Sequence, residues 1–124
     1  MDKLKKVGLL LAPSSFWKAH QRTRDKRCNG CGTSGWKGKL VPDTIVGCCV
    51  TPACNIHDWM YHEGGLEADK VNADKLFRKN MIDIIMASSR WALIKYFGRQ
   101  RVWLYYRVVK AMGGLYFKYK NLPD

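Results

Sequence analysis

The chain has 124 residues, enough for one ordinary domain and no second fold, and its 47% hydrophobic and 26% charged composition excludes wholesale disorder. Lys and Arg number 22 against 10 Asp and Glu, a formal net charge of +12, which favours an anionic partner such as nucleic acid or an acidic membrane surface and says nothing about the fold. No segment approaches the roughly 20 apolar residues that span a bilayer, which argues against an integral membrane protein.

In chain order, residues 1 to 27 form a basic region. Lys3, Lys5 and Lys6 precede Val7-Gly8-Leu9-Leu10-Leu11-Ala12, which imitates a signal peptide but is short and lacks a convincing cleavage site. The segment reads as mature sequence, partly amphipathic and packing on the body. Residues 28 to 50 hold Gly30, Gly32, Gly35, Gly38, Pro42 and Gly47, a density of turn formers that predicts an irregular loop with at most a short hairpin. Cys28, Cys31, Cys48, Cys49 and Cys54 lie close together, and their odd number leaves a free thiol or an intermolecular bond. Disulfides would suit an oxidising compartment; zinc on Cys28, Cys31 and two of the later cysteines would suit a reducing one, and spacing does not choose between them.

The remainder is helical in pattern. Thr51-Pro52 starts a helix, with Thr51 as N-cap and Pro52 in the first turn, and Gly64-Gly65 ends it. A second helix is predicted over 66–87, where Val71, Phe77, Met81, Ile84 and Ile85 recur at helical spacing. After Ser88-Ser89 a third runs over 90–112 and stops at Gly113-Gly114. Six acids (Asp58, Glu63, Glu67, Asp69, Asp74 and Asp83) sit mid-chain, and none lies between Ile84 and Pro123. There, Arg99, Arg101, Arg107 and Lys110 interleave with Tyr96, Phe97, Trp103 and Tyr106. Such a stretch is either a cationic, aromatic surface for lipid or phosphate, or a buried helix with solvated basic flanks.

Two helices present the polar groups that carry chemistry. On the first, Cys54, His57, Asp58 and Tyr61 lie within reach of one face by their spacing of three and four. On the second, Asp74 occupies an apolar stripe, and a carboxylate on a buried face needs a partner. Lys70 or Arg78 could pair with it within its own helix. If the helices pack antiparallel, Asp74 instead meets His57 and Tyr61. A histidine held by an acid through one nitrogen can act as general base through the other, and an imidazole's ordinary pKa near 6.5 suits that task. Asp58 projects about 100° round the helix from His57 and is available to a hard cation together with carbonyls of the glycine loop.

Cys54-Asn55-Ile56-His57-Asp58-Trp59-Met60-Tyr61 resembles the active-site helix of calcium-dependent secreted phospholipase A₂ enzymes, C-x-x-H-D followed by Tyr. Asn29-Gly30-Cys31-Gly32-Thr33-Ser34-Gly35 is similar to their calcium loop, and Ala73-Asp74 to their distal Asp. The resemblance covers residues 28 to 82, and the short flanks suggest the small bacterial or viral members. It implies a mostly α fold: two antiparallel, disulfide-linked active-site helices behind a calcium-binding loop, in a single domain over 1–124 with a basic aromatic helical region at 88–124. It implies that His57 deprotonates water, that Asp74 and Tyr61 orient His57, and that Ca²⁺ sits on Asp58 with carbonyls of Gly30, Gly32 and Ser34. An alternative register of that loop uses Cys28, Gly30 and Gly32. An N–H such as that of Gly32 would assist the oxyanion, and Cys31–Cys54 is the implied disulfide. Met60 stands where disulfide-rich members carry a second cysteine, so most of the family's bridges are missing and packing must hold the fold.

The expected reaction is therefore calcium-dependent hydrolysis of the sn-2 ester of glycerophospholipids at an anionic membrane surface. The expected location is outside the cytosol, where a weak calcium loop would fill; nucleic acid is not an expected partner. The alternatives are a zinc-stabilised nucleic-acid-binding module and a phospholipase-like membrane-binding protein without catalysis.

Overall fold

The structure is a computed structural model, and it describes residues 3–27 and 41–120. It is mostly helical. An N-terminal hairpin of β1 (Leu4–Val7) and β2 (Leu10–Pro13) leads into two short helices, α1 (Ser14–Lys18) and α2 (Gln21–Arg27). A second, minimal hairpin pairs β3 (Thr44–Ile45) with β4 (Cys48–Cys49). Three longer helices follow: α3 (Thr51–Glu63), α4 (Glu67–Ala87) and α5 (Ala92–Met112), with a 3-10 turn over Gly113–Leu115.

The helix starts follow from local chemistry. Val50, not Thr51, is the N-cap of α3, so Pro52 still falls in the first turn where its missing N–H is harmless. The Thr51 hydroxyl instead bonds the Asp43 carboxylate at 3.1 Å. At the start of α4 the Asp69 carboxylate accepts the Leu66 N–H at 2.9 Å, and Glu67 adds a second acid in the turn where the helix dipole favours negative charge. The Lys95 ammonium donates to the Met86 carbonyl at 3.0 Å, covering one of the open carbonyls at the end of α4.

Between α3 and α4 the chain reverses at Gly64-Gly65. Gly64 has φ +70°, and a Cβ there would sit 1.8 Å from the Lys118 carbonyl oxygen. Only glycine allows this turn and this approach together. The tail closes on it: Gly65 N–H donates to Lys118 O at 3.0 Å and Lys120 N–H to Gly65 O at 2.9 Å.

Two apolar clusters flank the helix pair. One joins Val41, Ile45, Val50 and Cys54 to Phe77, Met81, Ile85, Val102 and Val109. The other joins Ala12 and Phe16 to Ile56, Trp59, Tyr61, Leu76 and Phe117. The N-terminal segment packs on the body as expected, but as a hairpin turning at Gly8-Leu9, with Gly8 at φ +62°. Asn80, fully buried on α4, pins it: Leu11 N–H donates to the Asn80 side-chain oxygen and the Asn80 amide donates back to Leu11 O, both at 2.9 Å.

α4 contains no cysteine, so the expected disulfide between the two site helices does not exist in that form. Packing and one buried carboxylate hold them together. Cys54 is disulfide-bonded, and Cys48 and Cys49 are free thiols. The expected partner, Cys31, lies outside the described residues.

Candidate active site

Apolar residues at 53, 56, 59 and 60 bury α3 on two sides, which carries His57 inward with them. On α4 the stripe of Ala73, Phe77 and Met81 does the same for Asp74. His57 and Asp74 are each 1% exposed. The reversal at Gly64-Gly65 sets the helices antiparallel, and the two side chains meet.

Asp74 Oδ1 lies 2.8 Å from His57 Nε2 and accepts the Tyr61 hydroxyl at 2.6 Å. Asp74 Oδ2 accepts the Lys70 ammonium at 2.8 Å. Lys70, itself buried, also donates to the Lys110 carbonyl of α5 at 3.2 Å. Both readings of Asp74 therefore hold at once: it pairs along its own helix with Lys70 and across the interface with His57 and Tyr61. Burial pushes its carboxyl up, but the hydrogen bond and charge of His57 and the bonds from Lys70 and Tyr61 outweigh it and hold Asp74 below the usual carboxylate range. Burial and the Asp74 carboxylate drive the Tyr61 hydroxyl far above its ordinary value, so Tyr61 stays a donor.

These charges fix the imidazole. An ionised Asp74 can only accept, so Nε2 of His57 carries the proton and, in the neutral ring, the basic lone pair is on Nδ1. The ring is stacked on Phe77 at 4.6 Å between centroids and tilted against Tyr61 at 4.1 Å. Tyr61 is in turn held against Phe117. A Cβ on Gly113 would fall 2.1 Å from the Tyr61 hydroxyl, so the turn after α5 must be bare here.

Asp58 follows His57 on α3 and is partly exposed. A carboxylate in that position suits a hard cation with oxygen ligands. Gly30, Gly32 and Ser34, the expected carbonyl ligands, and the Cys28 alternative lie outside the described residues. Among the described residues no group of three His, Cys, Asp or Glu side chains could hold a metal by itself. For the zinc alternative, Cys54 is already committed to a disulfide, and a disulfide sulfur is not a thiolate ligand.

Lys70 is one of the two helix-spaced cations beside Asp74 in the sequence, and its i, i+4 spacing is the signal for the pair. Asn80 and Gly113 had no local signal, since the groups that require them lie 69 and 52 positions away in sequence. No family model matches the chain, and no curated protein or solved structure matches it.

Proposed function

We propose that this protein is a calcium-dependent phospholipase A₂-type hydrolase that cleaves the sn-2 ester of glycerophospholipids. The observation that supports it most is the buried His57–Asp74–Tyr61 arrangement, in which a carboxylate orients the imidazole through one nitrogen. Nδ1 of His57 takes a proton from water as the water oxygen attacks the ester carbonyl, giving a tetrahedral oxyanion. Collapse breaks the bond to the glycerol oxygen, and the imidazolium returns its proton to that oxygen. Fatty acid and lysophospholipid leave, and the water is consumed. Asp74 keeps the ring in one tautomer and stabilises the imidazolium; Tyr61 and Lys70 keep Asp74 ionised and fixed. Calcium on Asp58 and the loop carbonyls would polarise the carbonyl and stabilise the oxyanion. The disulfide at Cys54 would tie that loop to α3 if Cys31 is its partner.

The surface of α5 supports a lipid interface. Gly98, Val102, Tyr106 and Val109 face the core. The other side shows Leu93 at 65% and Phe97 at 54% exposure, and Leu115 beyond the helix is 79% exposed. Arg99, Arg101, Arg107 and Lys110 are exposed among them. Tyr96, Phe97 and Trp103 are therefore surface, while Tyr106 belongs to the core. An apolar face rimmed by cations lies stably at an anionic bilayer interface. No described helix is long and apolar enough to cross a membrane.

His57→Gln is expected to cut turnover by about 10²–10⁴-fold with the circular dichroism spectrum unchanged. Asp58→Lys is expected to abolish calcium dependence and activity together. Parent-rate lipid hydrolysis by either variant rules the assignment out.

A further inference from the structure

A groove of about 720 Å³ has neither His57 nor Asp74 in its lining. Its size is that of a small-molecule site, for which about 300–1,000 Å³ is usual. The apolar wall comes from four elements: Leu4 and Leu11 of the hairpin, Met60 of α3, Leu76 and Ile82 of α4, and Trp103 of α5. Along α4 the spacing that puts Leu76 and Ile82 there also brings Lys75, Arg78 and Lys79 to the same groove. Among the described residues no Asp or Glu lines it.

The three cations are not equivalent. Lys79 is paired with Asp83 at 2.5 Å. Arg78 lies over the Trp103 and Tyr106 rings at 4.5 and 4.6 Å, which holds its plane and leaves its N–H edge for an anion. Neither Arg78 nor Lys75 has a carboxylate partner among the described residues.

We propose that this groove binds a long-chain carboxylate, with the head on Lys75 and Arg78 and the alkyl chain along the Leu4, Leu11, Met60, Leu76, Ile82 and Trp103 wall. A sugar phosphate or nucleotide would leave that wall without a partner, and an uncharged lipid would leave the cations without one. A single alkyl chain ending in an anion satisfies both. The inference stands apart from the hydrolytic reading, although a fatty acid is what that reaction would release.

The test is isothermal titration of the full chain, in chelator, with octanoate, nonanoate and decanoate below their micelle concentrations. One site per chain is expected, tightening roughly fourfold per methylene. Decanol, with the same chain and no charge, is expected to bind about tenfold weaker or worse. Lys75→Gln removes an exposed ammonium, and is expected to weaken decanoate about threefold while leaving decanol unchanged. Ile82→Trp, which fills the groove, is expected to weaken both. Non-saturable binding by the parent, equal binding of decanol and decanoate, or parent affinity in both variants overturns the proposal. Neither variant touches His57, Asp58 or Asp74, so vesicle hydrolysis by both is expected at the parent rate. Loss of binding and loss of hydrolysis are thereby read separately.

Discussion

Asp74 gathers an imidazole, a phenol and an ammonium on one buried carboxylate. Removing one member of such a set strands the others. Asp74→Ala leaves Lys70 buried and uncompensated, and is expected to cost about 3–5 kcal/mol in urea unfolding at pH 7. The pH dependence follows from sign. Asp74 titrates lower folded than unfolded, so its ionisation contributes stability above the unfolded carboxyl value. That contribution is lost as pH falls through the folded value. The parent is expected to lose stability below about pH 4, and Asp74→Asn to lose this part of the acid dependence while being weaker at neutral pH. Unfolding curves at pH 7 and pH 3 measure both. At this scale the sequence was informative for His57, Asp58, Tyr61 and Asp74, since helical spacing and a misplaced carboxylate are local signals. It was silent on Gly113, whose bareness answers to a hydroxyl from another helix.

Helices α3, α4 and α5 lie within one or two residues of their expected bounds, because apolar periodicity and glycine stops act within each segment. The cap of α3 moved from Thr51 to Val50, as Asp43 claims the Thr51 hydroxyl. The N-terminal hairpin was not expected. Its signal was Val7-Gly8-Leu9-Leu10, a two-residue turn with glycine first, overshadowed by the resemblance to a signal peptide. What holds that hairpin on the body is Asn80, a buried amide that satisfies both backbone groups of Leu11. Asn80→Ala would leave those groups unpaired, and is expected to cost about 1–3 kcal/mol. Hydrogen exchange at the Leu11 amide is expected to rise with it, while the amides of α3 retain their protection. Uniform loss of protection across the chain would assign Asn80 to the whole fold instead.

For the whole molecule, charge and surface were legible in part. The acid-free stretch from Ile84 to Pro123 left a surface helix and a buried one both open; α5 is part of each, with Val102, Tyr106 and Val109 buried and Leu93, Phe97 and the following Leu115 exposed. Exposure could not be read earlier because α5 is apolar on both sides, and only packing against α4 decides which side is core. With +12 net charge, binding of the His57→Gln protein to anionic vesicles is expected to weaken as salt rises from about 0.1 to 0.5 M. Leu93→Asp with Phe97→Asp is expected to release it further. Sedimentation with vesicles reads both, and undiminished binding by the double variant would move the contact off α5.

The most direct measurement is fatty-acid release from mixed anionic and zwitterionic phospholipid vesicles, with Ca²⁺ and then with chelator, the released chain assigned to its glycerol position. A His57-driven, calcium-assisted hydrolase releases the sn-2 chain and stops when calcium is removed. A folded protein that releases no fatty acid at any calcium concentration, or releases it equally in chelator, contradicts that mechanism.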